Sequence, residues 1–207
     1  MGIKERRLRE RESLKKEIIV AAQSIASTEG WHAVTVRKIA QQIEYTPPII
    51  YEFFKDKDAL FLEIKREGLR KLLVTYQNSL SSSKDATELL TNFGAAYWEF
   101  AIDNPELYKI IYGFGGGAGG TTELTEEVGQ IRLLIKDTLA RVLQETKSPS
   151  NFDWEGAIDI LRSLLHGMIA FSMSGAMRGD QERARSLAMK GIQDLVTFWM
   201  MDRDEVC

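Results

Sequence analysis

Two short segments carry the residues with the clearest chemical potential. Thr35-Val36-Arg37-Lys38 and Thr46-Pro47-Pro48-Ile49 each place a threonine ahead of a helical turn. A threonine there caps the helix with its hydroxyl, and the first amides of the helix have no intrahelical acceptor. Such termini suit phosphate oxygens. Arg37 brings a planar fork of donors suited to a pair of acceptors. Catalysis has no equivalent footing. His32, His166 and the single cysteine, Cys207, lack the spacing of a zinc set or a nucleophilic dyad. Gly115, Gly117 and Gly120 formally spell G-x-G-x-x-G, but after a helical segment rather than a strand, which removes the dinucleotide reading. Glu126-Glu127 favours a helix dipole, and no Glu-x-x-His accompanies it for dicarboxylate metal chemistry. No enzyme, no metal and no cofactor is expected.

The elements that must position these residues are all helices. Almost every segment has helical period and none alternates as a strand would. Helix 1 is predicted from about Lys4 to Glu29, with Leu14, Ile18, Ala21, Ala22 and Ile25 on one face and Gly30 as its stop. Thr35 caps a short helix to about Ile43. Thr46 caps another, about Pro47 to Phe53, in which the prolines take the first two positions, where an N–H has no partner. Glu44, in the turn between them, must either enter the left-handed region or change the turn. Asp56 caps a long helix from Lys57 to about Leu80. Five more helices follow: about Asp85–Asp103, Pro105–Tyr112, Thr122–Thr146, Asp153–Met177 and Asp180–Met201. The chain therefore reads as all-α with about nine helices.

Composition sets the frame. At 207 residues, 44 % apolar and 28 % charged, this is ordinary globular protein. The absence of an early apolar run, of a membrane-length segment and of paired cysteines favours a soluble cytoplasmic protein with no membrane partner. The whole chain carries −3, yet residues 1–57 hold eleven Lys/Arg against eight Asp/Glu. A basic end on an acidic body hints at a polyanion-facing arm.

The run Thr35-Val36-Arg37-Lys38-Ile39-Ala40, followed by Tyr45-Thr46-Pro47 and Tyr51-Glu52-Phe53-Phe54-Lys55-Asp56-Lys57-Asp58-Ala59-Leu60, resembles the N-terminal domain of the TetR family of transcriptional repressors. The resemblance implies a helix-turn-helix DNA-binding domain over residues 1–56 and a helical regulatory domain for ligand binding and dimerisation over 57–207. It implies that Thr35, Thr46, Tyr51 and Lys57 reach phosphate, and that Arg37, Pro47, Pro48, Ile49 and Phe53 lie against bases or their backbone. Helix 3, PPIIYEFF, has no Arg, Lys, Asn or Gln, so thymine methyl contacts from Pro48 and Ile49 are expected in place of hydrogen-bond readout. The helix 1 arm, Lys4 to Lys16, adds a non-specific electrostatic grip.

Aromatic residues crowd the next part of the chain. Phe93, Tyr97 and Phe100 share one helical face, and Tyr108, Tyr112 and Phe114 follow. With His166 as a polar handle they are candidates for an apolar ligand pocket, and the Gly113–Gly120 loop for its lid. His166-Gly167 resembles a His-Gly signature of one TetR subgroup, although Arg162 stands where that signature has tryptophan one turn earlier. Leu165, Met168, Ser172, Leu195, Phe198 and Trp199 are the candidate homodimer interface, with Gly167, Gly175 and Ala176 allowing close approach. The implied function is a homodimeric repressor on a palindromic DNA operator, released by a small apolar or aromatic effector. A constitutive or architectural DNA-binding dimer without effector, and an activator, fit the same residues.

Overall fold

The computed structural model describes residues 2–81, 86–113, 125–144 and 152–201. Among these there are nine α-helices, one 3-10 turn and no strand. The helices are α1 (Ile3–Glu29), α2 (Val36–Gln42), α3 (Pro48–Tyr51), α4 (Lys57–Ser81), α5 (Ala86–Asp103), α6 (Pro105–Ile111), α7 (Thr125–Gln144), α8 (Trp154–Met173) and α9 (Gln181–Met201). None is long and apolar enough to cross a membrane.

Local chemistry accounts for most boundaries. The Thr35 hydroxyl accepts the Lys38 amide at 3.2 Å, the Asp56 carboxylate the Ala59 amide at 2.7 Å, and Asp153 the Gly156 amide at 2.9 Å. α1 stops at Gly30, whose φ of 84° only glycine adopts cheaply. Two boundaries differ from the sequence reading. α8 ends at Met173, not Met177, because Gly175 takes the left-handed position of a helix-ending turn. α3 is regular only over Pro48–Tyr51; the Phe53 and Phe54 amides then both turn in to the Ile50 carbonyl, which carries Phe54 into the core. The 3-10 turn Trp31–Ala33 has no counterpart in the sequence reading.

The chain divides into two compact units, residues 1–69 with 104–125, and residues 70–103 with 126–207. In the first, Ile18, Ala22, Ile39, Ile50, Leu60 and Ile64 form a dry centre joined by Trp31, Phe61 and Ile110. The Trp31 indole N–H donates to the Glu106 carbonyl at 3.0 Å and its ring meets Phe61 edge-on, which fastens α6 to the helix-turn-helix. In the second unit α8 and α9 pack on one another, and α5 lies against α9. A Cβ on Gly94 of α5 would fall 2.2 Å from Ile192, and one on Gly191 of α9 3.0 Å from Leu164. These two glycines set the close approaches in this unit. A Cβ on Gly167 would meet nothing within 4 Å. Arg132 of α7 bridges to Glu155 and Asp159 of α8, the latter at 2.7 Å. α4 is one unbroken helix that contributes its first half to the first unit and the rest to the second.

Candidate nucleic-acid interface

α2 and α3 present the expected side chains to solvent in unequal measure. Thr35, Arg37, Thr46, Pro47, Pro48 and Tyr51 are exposed, and Tyr51 keeps more than half of its surface in water. Arg37 has no ion-pair partner among the described residues, whereas neighbouring Lys38 is held 2.6 Å from Glu29. The guanidinium of Arg37 is therefore available to an incoming acceptor. Tyr45, half exposed in the turn, joins this surface as a residue that no helical period singles out.

Other expected contacts are redirected by packing. Ile49 and Phe53 are partly buried against the core of the first unit, because a helix of four residues that buries only Ile50 draws its neighbours in. Phe53 lies beneath Arg11, whose guanidinium carbon is 5.3 Å from the ring centroid. Lys57 is not redirected in this way: it is partly exposed, has no ion-pair partner among the described residues, and its amine lies 4.8 Å from the centre of Phe61. The helical positions of α3 lend no backbone donor to phosphate. Pro47 and Pro48 have no N–H, and the Ile49 and Ile50 amides already donate to the Thr46 and Pro47 carbonyls at 3.1 Å. What remains there is Thr46, with its exposed side chain and its own backbone N–H.

The turn between α2 and α3 is made by Glu44 in the left-handed region, with φ at 60°. The Tyr45 amide donates to the Ala40 carbonyl at 2.8 Å and the Glu44 amide to Gln41 at 3.2 Å, the paired bonds of a Schellman end. On α1, Arg6 pairs with Glu10, while Lys4, Arg7 and Lys16 have no ion-pair partner among the described residues. These three remain for long-range attraction of a polyanion.

The residues expected to line a ligand pocket fall in two places. Phe93, Tyr97 and Phe100 of α5 are buried in the second unit. There Tyr76 stacks on Phe93 with centroids 4.1 Å apart and runs nearly parallel to Tyr97 at 6.2 Å. Trp98, on the other side of α5, is just as buried, while Glu99 and Asp103 of the same helix stay exposed. Tyr108 and Tyr112 belong to the first unit and tilt against each other at 4.8 Å. His166 is half-buried on α8; burial pushes its imidazole below the ordinary value, and Arg162 adds to the shift. Phe114 and the rest of the loop after Gly113 lie outside the described residues.

The expected interface residues also separate. Leu165 is buried inside its own protomer, and Trp199 is covered by Phe152 at 6.0 Å, edge to face, so neither offers surface to a second copy. Met168, Ser172 and Leu195 are partly exposed, and Phe198 keeps 60 % of its surface in water. Phe171, on the same apolar face of α8, is similarly bare, and so is Ile160, which the sequence reading did not assign to the interface. Ile160, Leu164, Leu195 and Phe198 line an open groove of about 660 Å³ between α8 and α9, rimmed by Asp159 and Asp194.

Known proteins agree with this architecture. Residues 18–64 match the family described as bacterial regulatory proteins, tetR family. Residues 90–195 match the tetracyclin repressor-like C-terminal domain. Over 174 residues the chain is 28 % identical to the HTH-type transcriptional regulator YobS of Bacillus subtilis, covering 84 % of this chain and 86 % of that protein. It is 27 % identical to the nucleoid occlusion factor SlmA of Vibrio campbellii, over 80 % of this chain and 85 % of the relative. FadR from Bacillus subtilis, solved with stearoyl-CoA, shares the fold at a TM-score of 0.72 and 16 % identity, with 88 % and 97 % of the two chains covered. With a helix-turn-helix in the first unit, a helical body in the second and matches across both, the chain belongs to the tetR family of bacterial DNA-binding transcriptional regulators.

Proposed function

We propose that the protein is a repressor that binds a palindromic DNA operator as a homodimer and leaves it when a small apolar or aromatic effector binds. In this reading residues 1–56 read DNA, with Arg37, Thr35, Thr46, Pro47, Pro48 and Tyr51 as contacts, joined by Lys57 at the start of α4. Residues 57–207 sense the effector and hold the dimer. The observation that carries the reading is the bare apolar face of α8 and α9. Ile160, Phe171 and Phe198 expose rings and branches that a monomer gains nothing by leaving in water. A second copy would cover them by two-fold symmetry, and a two-fold protein asks for a two-fold operator.

The effector half of the reading rests on the aromatic side chains Phe93, Tyr97 and Phe100 of the second unit, with His166 of the same unit as a polar handle. Stearoyl-CoA in a structure of the same fold supports an apolar chain as the ligand's main feature. Release requires the effector to favour one state: a 100-fold loss of DNA affinity corresponds to about 2.7 kcal/mol of differential binding. α4 carries Lys57 at its first residue and continues to Ser81, so it is the natural lever.

The test is selection of bound sequences from a random duplex pool, followed by an effector screen on the recovered duplex. A palindrome, lost from the protein on adding an apolar compound, supports the reading. Similarity to a nucleoid occlusion factor favours a second one, in which DNA binding serves an architectural role without effector. Retention of duplexes without sequence preference would select it.

A further inference from the structure

We infer that Arg11 is a positioning residue that fastens the C-terminal end of α3, and that it is not one of the cations gripping phosphate. Its guanidinium lies 5.3 Å from the centre of Phe53, and its Nη2 donates to the Glu52 carbonyl at 3.3 Å. Glu52 is the cap residue of α3, where helix carbonyls lack internal donors and carry partial negative charge. One turn further along α1, Lys15 repeats the arrangement. Its Nζ is 5.9 Å from the centre of Phe54 and 2.7 Å from the Glu63 carboxylate, which also holds Arg66 at 2.9 Å. Two cations four residues apart on α1 thus clasp the two adjacent rings at the corner between α3 and α4.

α3 needs such a fastening. It has four regular residues, one of them in the core, and two consecutive prolines at its start supply no amide to tie it down. A helix this short has no stability of its own and takes its direction from what holds its ends. Side chains on its exposed side reach a groove in one orientation only, so the Arg11–Phe53 contact sets how well α3 discriminates sequences. The basic arm on α1 is therefore divided: Lys4, Arg7 and Lys16 remain for a polyanion, while Arg11 and Lys15 hold the fold together at α3.

This inference rests on α3 facing DNA, and the test separates the two. Full-length wild type, Arg11→Ala, Arg11→Lys and Phe53→Leu are titrated, over a salt series, with a duplex recovered by selection and a scrambled duplex of equal length. Arg11→Ala should lose about fivefold affinity for the selected duplex and less than about twofold for the scrambled one, with the salt slope unchanged. Arg11→Lys should not rescue, because an ammonium lacks the planar fork. Phe53→Leu, which keeps every cation, should reproduce the loss, and combining it with Arg11→Ala should add little. Equal losses on both duplexes with a slope reduced by about one would mark Arg11 as a phosphate contact and overturn the inference. Unchanged affinities would overturn it too. Should wild type retain no duplex, the DNA reading fails and amide hydrogen exchange decides the fastening. Faster exchange at Phe53 and Phe54 in Arg11→Ala supports it, and unchanged exchange refutes it.

Discussion

The ends of α2 and α8 close with the same two hydrogen bonds, and only one of them uses glycine. At α8 the Ala176 amide donates to the Phe171 carbonyl and the Gly175 amide to Ser172, at 3.0 and 3.2 Å, with Gly175 at φ 70°. At α2 the equivalent bonds run from Tyr45 and Glu44, and the left-handed position is held by Glu44 at φ 60°. A residue with a Cβ costs roughly 1–2 kcal/mol in that conformation, where glycine costs little. The fold demands one geometry at both ends; at the helix-turn-helix the residue present is not the one stability would choose. The faces beyond the two ends differ in the same sense. Around α3 the surface is set by cations and rings in specific pairs, whereas the α8–α9 face is apolar, with Asp159 and Asp194 on its rim.

The largest effect that would break this contrast is at Phe198. Phe198→Asp places a charge on the apolar face and should weaken self-association by at least about thirtyfold, the scale of an interface hot spot, while the protomer stays folded. Sedimentation at several concentrations checks it; an unchanged mass would remove the α8–α9 face from the dimer.

Next comes the split between readers and grippers in the first unit. Arg37→Ala should lose about 1–3 kcal/mol of discrimination at one base pair. Lys57→Ala should weaken all duplexes alike and lower the salt slope by about one. If the two mutants behave identically in a sequence-by-salt titration, the distinction between them is gone.

The helix ends themselves give a matched pair. Glu44→Gly should raise unfolding free energy by about 1 kcal/mol, and Gly175→Ala should lower it by a similar amount. A Cβ at Gly175 meets no atom within 4 Å, so the second change isolates the backbone cost. Denaturant midpoints of both variants sharpen the comparison, and an unstabilised Glu44→Gly would show that the turn holds no strain.

The smallest effect concerns Glu63. Burial pushes its carboxyl up, but Lys15 and Arg66 outweigh that and hold it below the ordinary value of 4.5. A lowered value means the stabilisation is complete above pH 4.5 and fades as the pH falls further. Glu63→Gln should therefore be less stable than wild type at neutral pH, with the gap closing in acid. A gap independent of pH would assign the loss to packing.

Much of this molecule is legible along the chain because caps and stops are local. Thr35, Asp56 and Gly30 act within four residues, and each does what its position predicts; Asp153, read as the first residue of its helix, is likewise a local cap. The left-handed alternative at Glu44 is legible for the same reason. Gly175 carries an equally local signal that the reading of α8 passes over. The candidate site is only half legible. Arg37 and Tyr51 can be assigned from the motif and are exposed, but Arg11, Lys15 and Phe53 cannot be sorted, since their partners lie about forty or more residues away.

Helical period tells which side chains share a face, and capping chemistry tells where each face begins and ends; both act within a few residues, so the amino-acid order settles them alone. What covers a face depends on chain segments far apart in that order. Leu165 and Phe198 look alike as apolar residues on late helices, yet one is sealed in the core and the other stands in water. Arg11 and Arg7 look alike as cations on α1, yet one rests on Phe53 and the other has no ion-pair partner among the described residues. Contact and burial are properties of the folded neighbourhood, and only packing distributes them among residues of the same chemical type.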